Sequence, residues 1–272
     1  MTEGPDNSVH NREIDFHDAW AAGADINSIK IDEMFEAVTA PEKRFCLQLM
    51  GPLKGKKILD VGPALGESSI YFASRGAAVT AVDISPNMVD ICVRNGRIKG
   101  VDINGVVSSG ESLNLPDNHF DIAYAACILH HVADKEKLIA NIHKTLRPGG
   151  LFIAIDPLKY NPAINVYRRI ATQVRTEDEA PMGFDDLAVS RKYFSGIRHR
   201  EFWFLTLALF VKYFLLDRKD PNKKRYWQAV IEENEKTIGW WFVPLLKMDS
   251  LLLRLPLVKA LAWYMVQWGY KE

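Results

Sequence analysis

Apolar and polar positions alternate in two rhythms along this chain. Lys56–Val61 (KKILDV), Ala77–Ile84 (AAVTAVDI), Gly105–Ser108, Phe120–Ala126 (FDIAYAA) and Leu151–Ile155 are short apolar runs, the pattern of buried strands. Helical spacing lies between them. Ile70, Tyr71 and Phe72 fall in Glu67–Arg75. Met88, Val89 and Cys92 follow a Ser85-Pro86 start and are closed by Gly96. Leu138, Ile139, Ile142 and Leu146 follow an Asp134 cap and stop at Arg147-Pro-Gly-Gly150. This alternation predicts a parallel sheet with helices on both faces across residues 56–157.

Before it, helices are expected over Phe16–Ala22, over Ile31–Ala37, and after Thr39-Ala-Pro41, with Thr39 as cap and Gly51-Pro52 as stop. After it come helices over Ala163–Val174 and Asp185–Phe194 and a strand over Arg198–Leu205. A mostly helical stretch over 207–257 follows, with a start at Asp220-Pro221, and then a closing strand over Leu261–Trp268. Three parts result: cap helices (1–50), the alternating core (51–158), and a C-terminal part (159–272) that completes the sheet.

The 272 residues are 48% hydrophobic and 25% charged, enough apolar surface to exclude disorder as the main state. Lysine plus arginine balance aspartate plus glutamate at 34 each, so net charge offers no argument for nucleic acid. Residues 191–225 are locally basic. Cys46, Cys92 and Cys127 are scattered and form no CxxC, which argues against a disulfide framework or a zinc site and for a reducing, cytoplasmic setting. The N-terminus has neither a basic nor an apolar leader region, so no signal peptide is expected. The longest apolar run, Phe202–Leu216, is too short to span a bilayer.

The chemistry concentrates at Ile58-Leu-Asp-Val-Gly62-Pro-Ala64-Leu-Gly66, where a strand ends in a small-residue turn and enters a helix. In open α/β sheets ligands sit at such strand ends. Asp83 ends the next strand about 20 residues later, placed to accept ribose hydroxyls. The glycine spacing is one residue shorter than the dinucleotide fingerprint. Asp60 and Glu67 flank the turn; they are poor neighbours for phosphate and good ones for an ammonium group.

These residues resemble the Rossmann-like class I S-adenosylmethionine-dependent methyltransferases. Leu59–Gly66 is similar to the first motif, AVDIS (81–85) to the ribose motif, and Gly110–Pro116 (GESLNLP) to the segment whose acid contacts adenine. Phe120–Ala126 with LHHV (129–132) and LRPGG (146–150) complete an ordered set spanning roughly residues 40–158. The resemblance implies an α/β, doubly wound sheet, mostly parallel with an antiparallel last strand, carrying N-terminal cap helices; the stretch 207–257 reads as an enlarged helical C-terminal insertion beyond that basic fold. The resemblance also implies S-adenosylmethionine as cofactor and S-adenosylhomocysteine as its product. Asp60, Gly62, Pro63, Ala64, Gly66, Asp83, Ile84, Met88, Glu111, Ser112 and Ala126 would bind the cofactor. Two positions depart from the pattern: Ala64 stands where glycine is usual and Glu111 where aspartate is.

His131 and His130, after the fourth strand, are the candidate bases or acceptor-positioning groups; the alternative is one core and one surface histidine. Phe16 and Trp20 before the core, and Tyr160, Asn161 and Arg168 after the fifth strand, are candidate acceptor contacts, against docking-helix and surface roles. The run Arg175–Glu179 is either a polar acceptor contact or a solvated cluster. The tail tryptophans are core or ligand wall.

A small-molecule acceptor is expected, and the greasy insertion suggests an apolar or lipid-like one with peripheral membrane contact; an extra helical layer or dimer interface is the alternative. No metal and no nucleic-acid partner are expected. The rival readings are a nucleic-acid methyltransferase, against which stands Ala125-Ala126-Cys127-Ile128 in place of an Asn-Pro-Pro-aromatic tetrad, and a non-catalytic cofactor-binding protein. An NAD-dependent oxidoreductase is a third, opposed by the glycine spacing.

Overall fold

The computed structural model describes residues 26–171, 179–220, 222, 226–232 and 235–272. The alternation read from sequence forms seven strands: β1 (Lys57–Val61), β2 (Ala78–Asp83), β3 (Asn104–Val107), β4 (Phe120–Ala126), β5 (Leu146–Pro157), β6 (Ser195–Phe202) and β7 (Tyr264–Tyr270). They lie in one sheet of order β3-β2-β1-β4-β5-β7-β6. The first five run parallel, and β7 enters antiparallel between β5 and β6. The order reverses between β1 and β4, which opens a crevice at their carboxyl ends.

Period-two burial decides which side chains meet. On β4, Ile122 and Tyr124 point into one core layer, and Ala123 and Ala125 into the other. On β5, Ile153 and Ile155 alternate with Phe152 and Ala154 in the same way. The helices of the core are α1 (Ile31–Glu36), α2 (Pro41–Met50), α3 (Glu67–Ser74), α4 (Pro86–Ile98) and α5 (Lys135–Thr145). Ser85 caps α4 by accepting from Met88 N, and Asp134 caps α5 by accepting from Lys137 N, as the sequence predicts.

Two local expectations are corrected. Ala40, not Thr39, occupies the cap position of α2, and Thr39 is buried. Gly96 does not close α4; the helix runs on to Ile98. Gly96 lies where an added Cβ would stand 2.8 Å from Ile103 Cδ1, so the glycine serves close helix packing rather than termination.

The C-terminal part contributes α6 (Pro162–Ile170), α7 (Leu187–Tyr193), α8 (Ala208–Val211) continued by a π-turn over Lys212–Leu216, α9 (Tyr226–Glu232), α10 (Glu235–Leu252) and α11 (Pro256–Lys259). Trp203, Phe210, Tyr213, Tyr226, Phe242 and Trp263 are buried in the same core layer as Ile58 and Tyr124. The greasy insertion is therefore an extra layer of the core. It is also a cavity wall. The basic excess of 191–225 is partly spent internally: Lys192 pairs with Glu136, Lys212 with Asp217, and Arg200 lies over the rings of Phe45 and Phe202.

Candidate active site

A cavity of about 370 Å3 opens at the carboxyl ends of β1, β2 and β4. Its volume is in the range of small-molecule sites. The glycine turn forms one end. Gly62 has φ +68°, a conformation that strains any side chain, and a Cβ there would also press on Ile128 Cδ1 at 2.5 Å, so glycine is favoured. Gly66 takes φ +96° as the cap of α3, and Asn95 Nδ2 donates to Leu65 O to hold the turn from behind. Ala64 adopts φ +53°, a left-handed conformation that costs alanine about 1 kcal/mol or more. Cys127 (φ +57°) and Trp203 (φ +69°) are strained in the same sense, and all three line this cavity. Such clustering of backbone strain marks a functional site.

Asp83, Ile84, Met88, Gly110 and Glu111 continue this end of the wall. Asp83 Oδ1 accepts from Ser85 N, which fixes the carboxylate at the strand end. Glu111 is buried, and its Oε1 accepts from Asp134 N. Two glycines in left-handed conformations and two fixed carboxylates suit an adenosine ligand that carries a positive charge.

The sequence-predicted positions separate here. Gly62, Pro63, Ala64, Asp83, Ile84, Met88, Glu111 and Ala126 line the cavity. Asp60 does not: it is buried, and its Oδ2 accepts from Ser68 Oγ and Ser69 Oγ, both at 2.6 Å. Burial raises its pKa to about 6. Gly66 shapes the turn from outside the wall, and Ser112 is exposed beyond it. Glu67, which does line the cavity, is likewise raised by burial.

The far end of the cavity is aromatic: Tyr124, Tyr167, Trp203, Trp263 and Tyr264, with Val230 and Ile231 from α9. Trp203 Nε1 donates to the buried carboxylate of Glu42 at 2.7 Å, which joins β6 to α2 across the wall. Burial raises Glu42 and lowers Lys43 beside it. Sequence reasoning missed Glu42, Lys43, Cys127, Tyr167 and Tyr264, because no local motif marks them.

His130 and His131 both line the cavity, with ring centroids 4.1 Å apart. His130 is buried; its Nδ1 lies 2.8 Å from Asp156 Oδ1, the same oxygen that accepts from its backbone N at 3.2 Å. Asp156, at the end of β5, is itself 1% exposed, and burial holds its carboxyl well above the usual range.

The acceptor candidates Tyr160, Asn161 and Arg168 stand outside the cavity. Tyr160 is exposed and stacks on Phe184; Asn161 caps α6 and donates to Leu261 O; Arg168 Nη1 donates to Leu158 O. From the same helix, Tyr167 reaches the wall. Phe16, Trp20 and the stretch Arg175–Asp178 lie outside the described residues.

A methyltransferase-domain family model matches residues 59–154. A ubiquinone/menaquinone biosynthesis C-methyltransferase of Shewanella sediminis is 31% identical over 188 residues, covering 62% of this chain and 72% of the relative. Its counterpart in Shewanella piezotolerans is 32% identical over 133 residues, covering 47% of this chain and 52% of the relative. The matched region thus spans about half the length of some of these relatives. Among solved structures, Haemonchus contortus phosphoethanolamine N-methyltransferase 2, in complex with phosphomonomethylethanolamine and S-adenosylhomocysteine, superposes with a TM-score of 0.58. It is 18% identical, over 95% of this chain and 59% of that one. The N-methyltransferase NodS of Bradyrhizobium japonicum gives 0.55 at 10% identity, over 97% and 98%. These two likenesses are of fold. The sheet order, the glycine turn with its strand-end carboxylate, and the relatives together define the class: this chain belongs to the class I S-adenosylmethionine-dependent methyltransferases.

Proposed function

We propose that this chain transfers a methyl group from S-adenosylmethionine to a small, largely apolar acceptor. The observation that carries this reading is the single cavity wall in which the glycine turn and Asp83 form one end and Tyr167, Trp203, Trp263 and Tyr264 the other. The cofactor supplies an electrophilic methyl on a sulfonium. The residues do the rest. Asp83 accepts from the ribose, Met88 and Ile84 pack against the base, and Glu67 offers negative charge to the cationic end. The aromatic wall holds an acceptor ring in water-poor surroundings, and His130 and His131 position its polar atom. Alignment of two reactants in such a pocket supplies much of the rate enhancement. The quinone chemistry of the relatives makes an aromatic ring the acceptor to try first.

Calorimetric titration tests the cofactor half. S-adenosylmethionine should bind with a micromolar dissociation constant and NAD should not; Asp83→Ala should weaken the former about tenfold or more, the value of a charged hydrogen bond. A mass gain of one methyl on quinols, and none on RNA, would then establish the acceptor class. Cofactor binding without turnover on any acceptor favours the non-catalytic reading.

We further propose peripheral contact with an anionic lipid surface. Most of the exposed large apolar side chains fall in the C-terminal insertion, among them Leu216 (76% exposed), Trp240 (79%) and Leu257 (88%). Arg218, Lys247 and Arg254 are exposed in the same stretch. Apolar side chains interspersed with basic ones suit the boundary of an anionic bilayer. No helix among the described residues is long and apolar enough to cross a membrane.

A further inference from the structure

His130, His131 and Glu179 form a cluster that the cofactor half of the cavity does not use. One ligand atom from each lies within 4.8 Å of the others, and all three side chains line the cavity. We propose that they bind a divalent first-row transition ion, Zn2+ foremost, beside the acceptor position.

Three features of the fold support a built site. The first is the donor set: two imidazoles and one carboxylate, which suit borderline ions and leave coordination positions open. The second is Asp156, whose Oδ1 lies 2.8 Å from His130 Nδ1. A buried carboxylate behind a histidine is the arrangement that fixes tautomer and ring orientation in metal sites. The third is the tether of the acid. Ala180 N donates to His130 O at 2.8 Å, so the residue following Glu179 is fastened to the histidine backbone. Ligand atoms around a tetrahedral ion with bonds of about 2.1 Å sit about 3.4 Å apart. The three ligand atoms now lie within 4.8 Å of one another. With its remaining positions the ion would hold a polar oxygen of the acceptor, the group that the aromatic wall cannot bind.

The placement beside the acceptor rests on the methyltransferase reading, whereas the metal affinity does not. The test uses the full chain stripped with a chelator and desalted. Zn2+ is titrated against a chromophoric competitor, and Co2+ is followed by its visible d–d absorption, with cofactor binding measured in the same preparations. One equivalent of each ion should bind with a micromolar or tighter dissociation constant. Glu179→Gln and His131→Ala should weaken it at least tenfold. Asp156→Asn, which touches no metal, should weaken it about 10–100-fold, and the surface control Glu136→Gln should change nothing. Thermal melts and retained cofactor binding show that each variant is folded. Absence of a Co2+ band, or equal affinity across the variants, overturns the metal site while cofactor binding stands. Loss of cofactor binding in the parent chain tells against the methyltransferase reading alone.

Discussion

Individual residues at this site are held in states they would not choose alone. Ala64, Cys127 and Trp203 occupy left-handed backbone conformations, and Asp60 and Glu67 are carboxylates in a medium that disfavours their charge. The Asp60 shift has a definite sign. Its folded value of about 6 lies above the ordinary carboxylate value of about 3.9. Between about pH 4 and 6 the native state therefore binds the proton that the unfolded state releases, and the contribution of Asp60 to stability falls as pH rises through that window. A cationic ligand favours the ionised form, so its binding expels the proton. The Asp60 contribution to S-adenosylmethionine affinity should therefore decline as pH falls below about 6, by up to about tenfold per unit. Calorimetry at pH 5, 6 and 7.5 checks this, and Asp60→Asn should flatten the part of the decline that belongs to Asp60.

At the scale of elements, the glycine-turn end of the cavity was legible because its signals are short-range. The turn after β1 needs glycine at Gly62 and Gly66, and the caps at Ser85 and Asp134 are local hydrogen bonds, all within a few residues of the helices they start. Elements of the C-terminal part are joined by contacts over far greater separations. Asp249 on α10 is buried and accepts from the backbone N of Phe204, Leu205 and Thr206 and from Thr206 Oγ1. It thereby satisfies the chain end of β6 that carries Trp203 into the cavity. Asp249→Ala strands three backbone donors and should cost about 3 kcal/mol or more, seen as a melting temperature about 6–12 °C lower. Cofactor affinity should suffer less than acceptor turnover, since the damage falls on the aromatic end.

The whole molecule combines a crevice at the reversal of strand order with a C-terminal layer that is at once core, cavity wall and exposed apolar surface. Vesicle flotation tests the last of these. Binding is expected to vesicles with an anionic lipid fraction, to be weak on purely zwitterionic ones, to fall with salt, and to drop in a Leu216→Asp, Leu257→Asp variant whose melting temperature is unchanged. A dimer in solution that dissociates in the same variant would point to a subunit interface in place of the lipid.

By itself the sequence determined the parallel core, the order of its strands and helices, the glycine turn and most of the cavity-lining residues beside it. Those features follow from hydrophobic period, turn chemistry and capping, which act between neighbours in the chain. It could not show that Asp60 is spent on Ser68 and Ser69, that Tyr167 rather than Tyr160 or Arg168 meets the cavity, or that Glu42 and Trp203 form one wall. Nor could it bring Asp156 and Glu179 to the two histidines. Each of those depends on which faces of distant elements are turned toward each other once the sheet is assembled, and only packing in three dimensions decides that.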